Sequence, residues 1–198
     1  MFCADVNQPA SNGMAALTFA AAAGRHQVVD LLLRYRPALN QVDQNGHTAL
    51  LHAILRGHSD VAKLLLTCDL YASQHHRNFA AQQALVAAAA IGDMKLLQYL
   101  LHPGAFQCNV NAVDPTHGET PLTSAAGHGK SSVCEFLVRH SKASVEARNK
   151  GGATALLCAV KQGEWDTADL LLNLGASLES RDPAGKTPLI TASCNGHL

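Results

Sequence analysis

GHTALLHAILRGHSDVAKLLL, residues Gly46–Leu66, decides how the rest of the chain is read. It opens on a turn glycine and on Thr48, a residue able to cap backbone N–H groups, and then runs into an apolar stretch. Gly57 interrupts that stretch. After a polar pair, VAKLLL (Val61–Leu66) sets apolar side chains at i, i+1, i+3, i+4 and i+5. Such a run gives a helical face wide enough to need cover on more than one side. The segment therefore reads as two short helices that cannot bury their apolar surface alone.

Working outward, the same pattern recurs. The mid-segment glycine returns as Gly24, Gly57, Gly92, Gly129, Gly163 and Gly196, at intervals of 33, 35, 37, 34 and 33 residues. Aliphatic runs follow five of them: Val28–Leu33, Val61–Leu66, Leu96–Leu101, Val133–Val138 and Thr167–Leu172. Helix starts precede them in GMAALTFAA (from Gly13), GHTALLHAI (Gly46), GETPLTSAA (Gly118), GATALLCAV (Gly152) and GKTPLITAS (Gly185). Thr48, Thr120, Thr154 and Thr187 stand as N-caps, with Pro121 and Pro188 in the first turn. Three residues after the leucine of each signature comes a small side chain, Ala20, Ala53, Ala88, Ala125, Ala159 or Ala192, which lets neighbouring helices approach closely. Asp43, Asn45 and Gly46, and again Asp182, Pro183 and Gly185, supply turn chemistry between repeats.

A β-turn plus two antiparallel helices, about 33 residues long with a T-P-L-H-x-A signature, is the ankyrin repeat, which the chain resembles along essentially its whole length. The expected fold is an all-α ankyrin solenoid of five nearly complete repeats and a partial sixth. The repeats fall at about 13–45, 46–79, 80–117, 118–151, 152–184 and 185–198. Thr18, Leu51, Val86, Thr123, Leu157 and Ile190 stand where the signature has histidine, so apolar stacking is expected to replace that residue's hydrogen bonds. Both ends read as cuts through a longer array, because neither carries a polar capping repeat, and the segment after Thr187 is expected to fray. The third repeat is irregular. Its first helix, Ala80–Gly92, lacks the turn glycine and T-P-L, and irregular loops are expected at 70–79 and 102–117.

Composition limits the function. Of 198 residues 47% are hydrophobic, and 33 Ala with 28 Leu give a helical bias. Fifteen basic side chains balance fifteen acidic ones without a basic run, which argues against nucleic acid as a partner. No apolar stretch is long enough for membrane insertion, and the first residues lack the pattern of a signal peptide. Six scattered cysteines without CxxC suggest neither a zinc site nor a disulfide scaffold, and fit a cytoplasmic chain.

At finer grain the chain resembles the TANC and rolling pebbles scaffold family, named for tetratricopeptide, ankyrin and coiled-coil parts. The matching segments are Asn12–Leu32, GHTALLHAILRGHSDVAKLLL with Cys68 and Asp69, AAQQALVAAAAIG, GETPLTSAAGHGKSSVCEFLV and Lys161–Leu198. The resemblance implies a large cytoplasmic adaptor with an ATPase-like region upstream and tetratricopeptide repeats downstream. It also implies recruitment to the plasma membrane or postsynaptic density, with membrane-receptor tails or cytoskeletal regulators as protein partners.

Catalytic chemistry is not indicated: GxxxxGK[ST], GxSxG and HExxH are all missing, so no catalytic residue, cofactor or metal is expected. His58 and His197 follow mid-repeat glycines and read as structural. His75 and His76 lack a ligand partner at metal spacing, and Cys134 and Cys158 read as core packing. What remains is recognition of a protein segment in a concave groove. The repeat register lines that groove with Phe19, His47, His52, Leu55, Arg56, Ile91, His117, Glu119, His128, Arg148, Lys150, Lys161, Gln162, Arg181 and Lys186. Phe19, Leu55 and Ile91 make its apolar half, and Arg148, Lys150, Lys161, Arg181 and Lys186 its basic half. The expected occupant has an apolar anchor and acidic residues. The alternative is a structural spacer or intramolecular lid that packs on a neighbouring ATPase-like or tetratricopeptide region.

Overall fold

A computed structural model describes residues 5–68 and 73–196. Among the described residues it contains eleven helices and no strand. They are α1 (Ala16–Ala22), α2 (His26–Leu33), α3 (Ala49–Leu55), α4 (Ser59–Thr67), α5 (Gln74–Ile91), α6 (Met94–Leu100), α7 (Pro121–Gly127), α8 (Ser131–Arg139), α9 (Ala155–Gln162), α10 (Trp165–Asn173) and α11 (Pro188–Asn195). The all-α ankyrin-type expectation holds. The chain forms two compact units, Met1–Ala84 and Leu85–Leu198, with the division inside α5.

The helix starts follow from local chemistry. Thr48, Thr120, Thr154 and Thr187 each accept, through Oγ1, the backbone N–H three residues on, which satisfies a donor the first helical turn leaves open. At α7 the cap is reciprocal. Thr123 Oγ1 accepts from Thr120 N at 2.9 Å, so the threonine in the histidine position of the signature helps to close the helix start. The mid-repeat glycines Gly24, Gly57, Gly92, Gly129 and Gly163 all have φ between 65° and 85°, which lets the chain reverse into the second helix.

In the first unit α1 packs on α3, and α2 on α4. Ala20, Ala53, Val29, Leu65 and Leu66 are buried there. His58 lies on Gly24: a Cβ on that glycine would come within 2.5 Å of the imidazole, so the histidine after a mid-repeat glycine has a packing role. His197, given the same role from the sequence, lies outside the described residues. In the second unit α7 and α11 flank α9, and α8 packs on α10. Ala125, Ala159, Leu122, Leu137, Leu156 and Leu171 fill the space between.

Hydrogen bonds also tie successive turns. Gln44 N donates to Asn12 O, Lys150 N to Gly118 O, and Asn111 Oδ1 accepts from Ser144 N. Glu146 accepts from both Ser177 N and Ser180 Oγ. Polar links therefore join apolar stacking in holding repeats together, beyond what the loss of the signature histidine led us to expect.

One assignment changes. The lead-in expected as a loop over 70–79 is helical from Gln74, and α5 runs unbroken for 18 residues. Ser73 Oγ accepts from His76 N and pairs with His76 Nδ1 at 2.7 Å, an N-terminal cap. No glycine or proline interrupts the sequence from there to Gly92. His75 and His76 are thus helical residues. Between Leu100 and Pro121 the chain passes through turns without a helix.

Candidate functional site

The second unit carries a cleft of about 460 Å³. Its walls come from the exposed sides of α7, α9 and α11 and from the turns that precede α9 and α11. Of the groove residues expected from the register, Glu119, His128, Lys161, Gln162 and Lys186 line it, with Ser124, Gly127 and Cys158 between them. Asn149, Pro183, Thr191 and Asn195 are among the further lining residues and were not foreseen. Asn149 holds the turn position that Asp43 and Asp182 hold in other repeats, and that register is the signal by which it could have been found.

The electrostatics of the cleft are uneven. Glu119 accepts from Asn149 Nδ2 at 3.0 and 3.1 Å and from Thr123 Oγ1 at 2.6 Å, so both carboxylate oxygens are engaged. Asp182 Oδ1 accepts from Lys186 N. His128 Nδ1 lies 2.8 Å from Ser124 O; a carbonyl only accepts, so Nδ1 carries a proton there. Lys161 and Lys186 are exposed, and neither ammonium forms an ion pair among the described residues.

The remaining basic residues sit in the turns. Arg148 donates to Gly152 O and Arg181 O, and Arg181 to Gly185 O, so both guanidinium groups hold the turn stack. The Lys150 stem covers Gly118. His117 bonds Asp114 Oδ2 through its backbone N–H and through Nδ1. These four belong to the turns and are missing from the cleft lining. Ile91 ends α5 and is half-buried. Trp165 opens α10 and is exposed.

In the first unit Phe19 and Leu55 are 48% and 43% exposed, and Arg56, next to Leu55 in sequence, is exposed as well. His52 is buried, its Nε2 2.9 Å from Asp43 Oδ2. Asp43 Oδ1 accepts from the backbone N–H of His47 and of Asn45. The His47 N–H bond, together with the bonds from His52 and Asn45, holds the carboxyl down at about 2 against the opposing effect of burial. His47 is half-buried with its ring edge-on to His52, centroids 5.5 Å apart.

Burial pushes the thiols of Cys134 and Cys158 up to about 12 and Cys108 up to about 11, with Glu119 adding to the shift at Cys158. Cys194 is exposed. Iodoacetamide at pH 8 should therefore alkylate Cys194 at least about ten-fold faster than Cys108, Cys134 or Cys158, because the thiolate is the nucleophile. Peptide mapping over time checks this, and equal rates would contradict the burial described.

Capped helix pairs, linked by hydrogen-bonded turns and stacked in register, define an α-helical repeat protein. The family model described as "Ankyrin repeats (3 copies)" matches residues 2–78 and 84–182. The chain belongs to the ankyrin-repeat family, whose repeats are protein-interaction modules and in general not catalytic. Among curated relatives, "Ankyrin repeat and KH domain-containing protein mask-1" of Caenorhabditis elegans is 33% identical over 158 residues, 80% of this chain and 6% of the relative. "E3 ubiquitin-protein ligase XBAT33" of Arabidopsis thaliana is 31% identical over 192 residues, 83% of this chain and 36% of the relative. The human "Ankyrin repeat and KH domain-containing protein 1" is 37% identical over 115 residues, 58% and 4% respectively. The chain spans between 4% and 36% of the length of these three relatives.

Proposed function

We propose that the chain is the protein-binding part of a larger scaffold or adaptor, and that it takes an acidic segment of a partner protein in the cleft of its second unit. One observation carries this reading. The two acids of the cleft, Glu119 and Asp182, are bonded to their neighbours, whereas the ammonium groups of Lys161 and Lys186 form no ion pair among the described residues. The formal charges of the cleft balance, as in the whole chain, but its carboxylates are already engaged, so the two ammonium groups are the charged groups left to pair with a partner's carboxylates. Phe19 and Leu55 offer the first unit's own apolar surface for a further contact.

The resemblance to TANC and rolling pebbles scaffolds supports a cytoplasmic setting near the plasma membrane or postsynaptic density. In that setting a membrane-receptor tail or a cytoskeletal regulator fits as partner. No helix among the described residues is long and apolar enough to cross a membrane.

Lys161→Glu with Lys186→Glu should reduce capture of partners by the chain at least about ten-fold, since like-charge juxtaposition in an interface costs several kcal/mol. Reversal of Lys150 and Arg181, outside the cleft lining, should reduce it less. Quantitative pull-down with mass-spectrometric identification checks both. Unchanged capture by the cleft double variant sinks the cleft reading and favours the spacer or lid.

A further inference from the structure

Sequence spacing offers no metal site, yet the fold of the first unit assembles three ligating side chains. Asp43 lies in the turn before α3, His47 immediately precedes the Thr48 cap, and His52 projects from α3. One ligand atom from each lies within 4.8 Å of the other two. Among the described residues this is the only such group of three His, Cys, Asp or Glu. We propose that Asp43, His47 and His52 bind a divalent transition-metal ion of the zinc class, and that the bound ion fastens the turn to α3.

The donor set is two imidazoles and one carboxylate, the nitrogen and oxygen ligands such ions take. Bond lengths of about 2.0–2.2 Å in a tetrahedral site set ligand atoms roughly 3.4 Å apart. Asp43 Oδ2 and His52 Nε2 stand at 2.9 Å, so that pair opens slightly and the His47 ring swings inward. Each ligand is suited to its part. Oδ1 of Asp43 is pinned by two backbone N–H groups, which fixes Oδ2 toward the histidines, a supporting shell of the kind that orients metal ligands. His47 is half-buried and its ring has no hydrogen-bond partner among the described residues, so it is free to move. His52 gives its Nε2 lone pair to the metal after its proton passes to Nδ1, leaving the ring neutral. The fourth position is filled by water from the exposed side of His47.

The turn at Asp114 is an internal comparison. There a buried carboxylate meets one histidine, His117, and among the described residues no third ligand gathers. The competing reading is that Asp43 and His52 are a hydrogen-bonded tether and nothing more.

Calorimetric titration of the 198-residue chain with Zn²⁺ separates the two, with Co²⁺ as a spectroscopic probe and NMR of the imidazole protons. We expect one saturable equivalent, joint shifts of the His47 and His52 ring signals, and a rise in Tm. His47→Ala should weaken binding at least about ten-fold and abolish the rise in Tm. It leaves the Asp43–His52 bond in place, so it stays informative even if Asp43→Asn fails to fold. The pair His75→Ala and His76→Ala should bind as the parent does. Lack of a one-equivalent site, affinity unchanged by His47→Ala, or loss of the site in the His75/His76 variant would each overturn the proposal. The site lies wholly in the first unit and is independent of the cleft reading.

Discussion

Leu156→Ala is expected to lower the unfolding free energy by about 2–5 kcal/mol, whereas Leu189→Ala, the same substitution at the same register position, changes it by less than about 0.5 kcal/mol. Both leucines follow a capping threonine by two residues and open the first helix of a repeat. Their surroundings differ. Leu156 is 1% exposed in α9, a helix flanked by α7 and α11, so truncation leaves a cavity between layers that are already close-packed. Leu189 is 68% exposed on α11, where no described element covers it. In a repeat protein stability is close to a sum of repeat and nearest-neighbour terms, so the loss at α9 is felt at both of its interfaces. Urea unfolding followed by circular dichroism reads the difference as a shift in midpoint. Similar shifts for the two variants would show that register position, rather than burial, sets the cost.

What the sequence discloses is whatever local periodicity encodes. The helix pair Ala49–Leu55 and Ser59–Thr67 could be read from Gly46–Leu66 because caps, glycines and apolar positions agree at each step. The start of α5 was missed because its cap, Ser73 with His76, lacks the threonine and proline of the other repeats, and polar QHHRN resembles loop composition. Glu119, His128, Lys161, Gln162 and Lys186, which the register expects in the groove, line the cleft: Glu119 and Lys186 share the position before a capping threonine, and His128 and Gln162 the position before a mid-repeat glycine. It also gave Arg148 and Arg181 to the groove, and periodicity could not reveal that their guanidinium groups reach turn carbonyls 4 and 33 residues away. The Asp43–His52 pairing was equally hidden. It depends on a turn bringing together residues nine apart that share no helical face.

Gly152→Ala should cost about 2–4 kcal/mol, and Gly185→Ala about 1 kcal/mol, although both glycines hold the same turn position. The shared part is backbone strain: φ is 75° at Gly152 and 78° at Gly185, the left-handed region where a Cβ is unfavourable. The difference is steric. A Cβ on Gly152 would sit 2.7 Å from Pro183 Cγ and 3.0 Å from its Cδ, whereas a Cβ on Gly185 meets nothing within 4 Å. A proline ring has no rotamer by which to yield, so the turn carrying Pro183 must move instead. A double-mutant cycle isolates this contact: Pro183→Ala should recover about 1 kcal/mol or more in the Gly152→Ala background and nothing comparable alongside Gly185→Ala. Equal costs for the two glycine variants would remove the steric component. Pro183 also lines the cleft with Lys186, so a displaced turn shifts the wall that carries one of the two ammonium groups. Gly152→Ala should therefore weaken partner capture under conditions where circular dichroism still reports a folded chain, and Gly185→Ala should leave it near the parent level.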